Sequence, residues 1–523
     1  MRGLPQVKAG VVGSAPALAL VVACLAVLPA CKVGPDYRTP ESKVAASWVD
    51  APPTGTPDPA EVLWWRALKD PVLNGLIEQA YRNNPGLQSA GVRILQARAQ
   101  LNQSVGNLFP QQQGLSGGVN RYWLNPADSA LLPAGVSPDL ATSQALFSAS
   151  WEMDFWGKYR RTIEADRASF AGTLASFDDV LVTLVADVGT TYVNLRTTEE
   201  RLRVAQRNVE AQKESLRVAT AQFEAGETSE LDMRQASTIL LQTTAQIPRL
   251  QNSWNQFQYA LAVLLGEPPA EAAGLVPVPG RIPEVPDTVT AGIPHDLLRR
   301  RPDVRAAAFA AAAQSAQIGV ARASMYPAFS LNGAFGFTSN NEANNSLSDL
   351  FLWQSRAAQA GAAMVWPVFN YGRLVNQVRV QDAGFQQAVL NYQNTVLTAQ
   401  QEVQNGLSAF LTERQALTNL AAAADAARRS YDLSMIQYKA GETDYTTVLN
   451  AEQAQLSLED SVATAQGNVV LNLIAVYRAL GGGWQLREGR DVISDEVKAA
   501  MARRTRWGAL LEPQNHLPPA PPE

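Results

Sequence analysis

At 523 residues the chain can hold more than one ordinary domain, and although 46% of it is hydrophobic only 17% is charged. Its formal charge is −5, or about −7 once Met1–Ala30 with Arg2 and Lys8 is set aside, and no Lys/Arg cluster is interleaved with aromatics, which argues against nucleic acid as a partner. With two His, two Cys, no phosphate loop, no GxSxG and no metal-ligand spacing, the sequence offers no catalytic residue, metal site or cofactor site and points away from an enzyme.

In chain order, Arg2 and Lys8 precede an apolar run, APALALVVACLAVLPA, too short and interrupted for a spanning helix. It ends in Leu28-Pro29-Ala30-Cys31, which resembles a bacterial lipobox. That resemblance implies a signal peptide over residues 1–30, cleavage before Cys31 and acylation of Cys31. Each buried methylene of an acyl chain adds roughly 0.8 kcal/mol, so two or three chains anchor stably. Cys24 is a rival cleavage point, and an ordinary signal peptide with an incidental Cys is the alternative. Lys32 rather than Asp follows Cys31, which by resemblance to sorted lipoproteins implies outer-membrane delivery.

The rest of the chain is written twice. Adding 215 maps Trp151 to Trp366, Trp156–Lys158 to Tyr371–Arg373, Phe223 to Tyr438, Gly226-Glu227-Thr228 to Gly441-Glu442-Thr443, and Gly266 to Gly481. Nearer the N-terminus the offset is 217, pairing Pro85 with Pro302, so a loop between Pro110 and Trp151 absorbs two residues. Each copy opens with a Pro-initiated helix, Gly86–Phe109 or Asp303–Tyr326. Two strand-like runs follow, separated by polar loops, Asn125–Thr142 and Ser339–Ser355. The clearest alternate apolar residues at Phe147, Ala149, Trp151, Met153 and Phe155, and at Ala360, Ala362, Met364, Trp366 and Val368.

The period then changes. Lys158–Ala225 and Arg373–Ala440 hold no Pro, and residues spaced three and four apart predict a coiled-coil seam: Leu202, Ala205, Val209, Gln212, Leu216, Ala219 and Phe223, with Leu417, Leu420, Ala424, Ala427, Tyr431, Ser434 and Tyr438 in the second copy. A returning helix follows each turn, Glu227–Leu265 or Glu442–Leu480. The domains read as 31–70, a lipidated N-terminal segment, 71–280 and 281–483, the two repeats, and 484–523, a tail whose LPPAPPE end is disordered in composition. Four amphipathic strands cannot close a membrane barrel alone, because hydrocarbon leaves an open edge unsatisfied and barrels need at least about eight strands.

The stretches CKVGPDYRTP, WWRALKDPVLNGLIEQAYRNNPGL, SWEMDFWGKYRR, LLRRRPDVRAA, MVWPVFNYGR and YKAGETDYTTVLNAEQ, duplicated and in register, resemble outer membrane efflux proteins of the TolC type. The lipoprotein branch, the NodT- and OprM-like factors of resistance–nodulation–division (RND) pumps, is the most similar. The resemblance covers nearly all of the mature chain. It implies a mainly α, internally duplicated TolC-like fold with a membrane β part: a homotrimer whose twelve strands form a barrel continuous with a periplasmic helical tube. It implies passive conduction, powered by an inner-membrane RND pump through a periplasmic adaptor, and outer membrane lipid around the barrel. An exit duct for type I protein secretion and a lipid-anchored coiled-coil scaffold are the alternatives.

For individual residues, the resemblance implies that the turns Gly226-Glu227-Thr228 and Gly441-Glu442-Thr443 lie at the periplasmic tip, where the adaptor docks. It pairs Asp232 with Tyr438 as a closing link; the plainer alternatives are a packing residue at Tyr438 and a first-turn acid at Asp232. The pore constriction falls at Thr447 and Asn450, where relatives carry acids, so the ring is expected to be neutral. Glu152 and Asp154, on the polar side of a strand, are expected to line the lumen. Phe147, Trp151, Phe155 and Trp366 are expected to face lipid, with Trp156 and Tyr371 near the interface. Asp178-Asp179 and Glu199-Glu200 read as solvated helix faces, and RRRPDVR as a structural corner.

Overall fold

The computed structural model describes residues 32–49, 59–123, 125, 139–286, 300–340 and 347–517. The expected signal peptide, Cys31 and the last six residues of the tail lie outside the described residues. In chain order the elements are α1 (Pro71–Asn83), α2 (Pro85–Gly106), β1 (Gln112–Trp123), β2 (Asp139–Met153), α3 (Lys158–Glu224), α4 (Glu230–Leu264), α5 (Pro302–Ala323), β3 (Ala328–Asn340), β4 (Arg356–Val365), α6 (Arg373–Lys439), α7 (Tyr445–Ala479) and α8 (Asp495–Arg504). The duplication is legible in the bounds: α3 and α6 are 67 residues each, and α4 and α7 are 35 residues each. At a rise of 1.5 Å per residue, α3 and α6 are each about 100 Å long. The chain folds as two compact units, and each draws segments from both repeats, so the repeats are not separate domains.

One unit comprises Gln100–Arg167 and Ala312–Gln387 with the described start of the N-terminal segment. Its core is an antiparallel sheet in the order β1-β2-β3-β4. Register puts Leu115 opposite Phe147, Phe147 opposite Phe335, and Phe335 opposite Ala358, so one face carries a continuous apolar row. The adjacent row, Gly114, Ser148, Ala334 and Gln359, belongs to the opposite and more polar face, where Ser150 Oγ donates to Asn332 Oδ1 at 2.7 Å. The strands start and stop elsewhere than the alternation predicts. β2 begins at Asp139, inside the expected loop, because Arg121 on β1 donates two hydrogen bonds to the Asp139 carboxylate and lengthens the ladder. β3 takes Ser339 and Asn340 from the second expected loop. β4 ends at Val365, leaving Trp366 and Val368 outside it, since Pro367 has no N–H to donate. Phe155 lies past β2, where its N–H turns back to Met153 O.

The same unit clasps the start of the described chain. Arg161, 1% exposed, donates to Val33 O, Gly34 O and Asp36 Oδ1, each at 3.0 Å, and Lys32 pairs with Glu164.

The other unit, Thr39–Ala99, Ala168–Ala311 and Ala388–Glu523, is helical. Asp70 caps α1 by accepting from Val72 N and Leu73 N, and Tyr192 on α3 donates to its second oxygen at 2.7 Å. Trp64 stacks on Tyr477 of α7 at 5.8 Å. The tail is built into this unit through residue 517: Ile493 and Met501 pack with Leu95 of α2. RRRPDVR is a corner, with buried Arg301 donating to Asp303, Glu402 and Ala479 O. Two acids read as solvated are buried instead. Asp178 is held by Arg487 from the tail, and Glu199 by Arg196 and Gly280 N; each is engaged by groups distant in sequence as well as, for Glu199, by its own helix.

The seam on α3 is wider than predicted. Ala205, Val209, Gln212 and Ala219 are buried, but so are Val204, Asn208, Ser215 and Val218, a second stripe from which Asn208 and Ser215 meet α7. Phe223, at the frayed end, is 38% exposed rather than in the seam. On α6, Ala424, Ala427, Ser434 and Tyr438 are buried as the spacing predicts. Pro248 lies inside α4, whereas its counterpart on α7 is buried Ala463.

Candidate functional site

Both hairpin turns follow from glycine. Gly226 and Gly441 have φ of 75° and 76°, in the left-handed region that L-residues with a Cβ avoid. Each closes its helix with the same pair of bonds: Gly226 N to Phe223 O and Glu227 N to Gln222 O, then Gly441 N to Tyr438 O and Glu442 N to Gln437 O. The first bond of each pair satisfies one orphan carbonyl and the second, spanning six residues, satisfies another. Glu227 and Glu442 are exposed, while Thr228 and Thr443 are half-buried.

Beside the turns, Val218 and Ala219 of α3, Ala236 of α4, Met435 and Tyr438 of α6, and Tyr445 and Val448 of α7 form one apolar cluster. The structure brings the predicted pair together here: Tyr438 Oη donates to Asp232 Oδ2 at 3.3 Å. Tyr438 is 2% exposed, lies edge-on to Tyr445 with ring centroids 5.3 Å apart, and accepts a bond at its carbonyl from Gln222 Nε2. Burial first, with the Asp232 carboxylate adding to it, pushes the Tyr438 phenol up to about 12, so it is a neutral donor near neutral pH.

Thr447 and Asn450, three residues apart on α7, are exposed, pointing away from that cluster. Thr447 is drawn toward the turn: its N–H and its hydroxyl both donate to Asp444 Oδ1 at 3.0 Å, the cap of α7. Asp444 is therefore a capping acid. Ser229, the corresponding cap of α4, makes no side-chain bond.

Glu152 and Asp154 are both hydrogen-bonded to the start of α3. Glu152 is the next-to-last residue of β2 and accepts from Lys158 Nζ at 3.0 Å and Tyr159 Oη at 3.1 Å. Asp154 lies past the strand and accepts from Tyr159 N, Arg160 N and Arg160 Nε, capping the start of α3. A helix N-terminus attracts such carboxylates, and Lys158-Tyr159-Arg160 supplies the donors.

The sheet's apolar face is bare in the single chain: Leu115 is 84% exposed, Val119 70%, Phe147 51% and Phe335 51%. Its outer strands, β1 and β4, have no further strand partner among the described residues. An apolar face and open strand edges are surfaces that another partner ordinarily covers.

The family of outer membrane efflux proteins matches residues 76–267 and 293–482, one segment for each repeat. The chain is an outer membrane efflux protein. This efflux protein is 30% identical over 449 residues to the pyoverdine export outer membrane protein OpmQ of Pseudomonas putida, covering 83% of this chain and 93% of that one. It is 27% identical over 457 residues to nodulation protein T of Rhizobium leguminosarum bv. trifolii, covering 87% and 95%. Among solved structures, the outer-membrane channel OprN superposes with a TM-score of 0.79 at 32% identity, over 87% of this chain and all of OprN. The TolC-like fold and the work of an efflux-system outer-membrane component follow for this efflux protein.

Sequence reading missed buried groups near the tips of this efflux protein. Ser215 Oγ lies 2.9 Å from Tyr445 Oη, Asn208 Nδ2 donates to Glu459 Oε2 at 3.2 Å, and Glu452 is 4% exposed. The signal was present, because Tyr445, Glu452 and Glu459 recur every seven residues along one face of α7.

Proposed function

We propose that the chain is the exit duct of a tripartite efflux assembly and works as a homotrimer. Three four-stranded sheets close a twelve-stranded barrel in outer membrane lipid, and the long helices that follow β2 and β4 build a periplasmic tube. The single observation that carries this reading is the sheet: one face is apolar and exposed, and both edges are open. Copies of the same sheet cover those edges without any new element.

In this reading the duct is passive. An inner-membrane RND pump supplies energy through a periplasmic adaptor, which docks on the turns at Gly226–Thr228 and Gly441–Thr443. The Asp232–Tyr438 bond holds α6 and α4 together at the tip in the closed state, and Thr447 and Asn450 line a constriction without acids. A neutral ring attracts cations less than a ring of carboxylates does. Cys31 carries the acyl chains, one residue ahead of the clasped Lys32.

Purified protein reconstituted in planar bilayers tests the reading. Heat-modifiable trimers and discrete conductance steps are expected, with cation dependence appearing in Asn450→Asp and weak in the parent. A monomer with no conductance would overturn it. Labelled palmitate incorporated by the wild type and lost in Cys31→Ser tests the anchor.

A further inference from the structure

Two levels of α7 are hydrogen-bonded to α3. Asn208 on α3 donates to Glu459, and two turns away Ser215 meets the Tyr445 hydroxyl. Seven residues from both Tyr445 and Glu459 stands Glu452, and between Asn208 and Ser215 on α3 stands Gln212. The spacing of the two outer levels brings Gln212 and Glu452 to the same middle level. Gln212 is 1% exposed and Glu452 4%, yet neither amide atom of Gln212 and neither oxygen of Glu452 has a hydrogen-bond partner among the described residues.

An ionised carboxylate buried without partners costs several kcal/mol, whereas a neutral carboxyl and an amide can satisfy each other with two hydrogen bonds. We propose that Gln212 and Glu452 form a proton-dependent latch fastening α7 to α3: neutral Glu452 donates its proton to Gln212 Oε1 and accepts from Gln212 Nε2, and ionised Glu452 loosens α7. The duplicated hairpin has no such level, since Ala427 and Ser237 stand at the equivalent positions. The latch therefore acts on α7, the helix that carries Thr447 and Asn450.

The surroundings are consistent with this assignment. Burial alone drives the Glu452 carboxyl up to about 7. Near it stand Tyr431 on α6 and Tyr445 on α7, both phenols raised by burial and so neutral. Arg428 of α6 is taken by Glu459 and Asp425, Gln455 of α7 by Glu459, and Asp232 of α4 by Tyr438; Asp432 of α6 and Glu214 of α3 are acids that add no cation. The sign follows directly. The packed state holds the Glu452 proton to higher pH than the loosened state, so packing is strongest in acid, weakens as pH rises to about 7, and loses nothing further above that.

Hydrogen exchange of the purified full chain, wild type against Glu452→Gln, measures the latch at about pH 6 and about pH 8, either side of about 7. Comparing variants at one pH removes the intrinsic pH dependence of exchange. The ratio of wild-type to variant exchange across Tyr445–Glu459 is expected to rise about tenfold from the lower pH to the higher, and to stay flat in the matching stretch of α4. Infrared spectra should show a neutral-carboxyl band in acid that Glu452→Gln lacks. Gln212→Leu should speed exchange in α7 at the lower pH as well. A flat ratio, or no carboxyl band assignable to Glu452, overturns the latch. The effect on conduction rests on the pore reading above: conductance that ignores pH while the exchange ratio rises counts against that reading and leaves the latch standing.

Discussion

The hairpins α3–α4 and α6–α7 share a backbone but not a chemistry. Their helices have equal lengths, and their glycines have φ within one degree of each other. Around that common frame equivalent positions differ in what they do. Tyr438 is buried where Phe223 is exposed, Asp444 caps where Ser229 makes no bond, and α7 carries the buried Glu452 and Glu459. Only α4 carries a proline, Pro248. Duplication placed the two turns together at the tip cluster, and later divergence made one returning helix conditional while leaving the other plain.

Paired substitutions can break or sharpen that contrast. The largest effect is expected at the ring: Tyr438→Ala should destabilise the tip by about 3–5 kcal/mol, because it empties a buried aromatic site, whereas Phe223→Ala should cost under about 1 kcal/mol. Equal increases in exchange across both turns would erase the asymmetry. Next comes the proline. Pro248→Ala should slow exchange around the middle of α4, by up to about 3 kcal/mol, and Ala463→Pro should break α7 at a similar cost. Gly226→Ala and Gly441→Ala should each cost about 1–2 kcal/mol in thermal unfolding, and equally, since a new Cβ at either meets nothing within 4 Å and only φ resists it. Smallest is the cap: Asp444→Ala should lose about 1 kcal/mol of α7 protection, and Ser229→Ala only a few tenths.

Much of this is legible in the sequence. The offset of 215 predicts the hairpins to within a few residues, because Gly-Glu-Thr stands at the same place in each copy and no proline interrupts α3 or α6. Sheet faces were legible from Phe147 to Met153 because a strand alternates at every residue. What escaped depends on distant partners. Asp178 reads as a surface acid until Arg487 arrives from 309 residues away. Glu152 and Asp154 share the strand's polar phase, and their bonds to the start of α3 a few residues on were not legible from alternation alone. Glu452 escaped differently: its seven-residue spacing from Tyr445 and Glu459 marks one face of α7, but the spacing alone does not say that the face is dry.

The bare sheet also bears on how the chain reaches its membrane. Leu115, Val119, Phe147 and Phe335 are exposed together beside two unsatisfied strand edges, which is the surface that seeds edge-to-edge aggregation. A single chain in water is therefore prone to wrong pairing at this sheet. Until another surface covers that face and those edges, a meeting with the wrong edge is the hazard, so how long the chain spends alone bears on how much of it reaches its finished form.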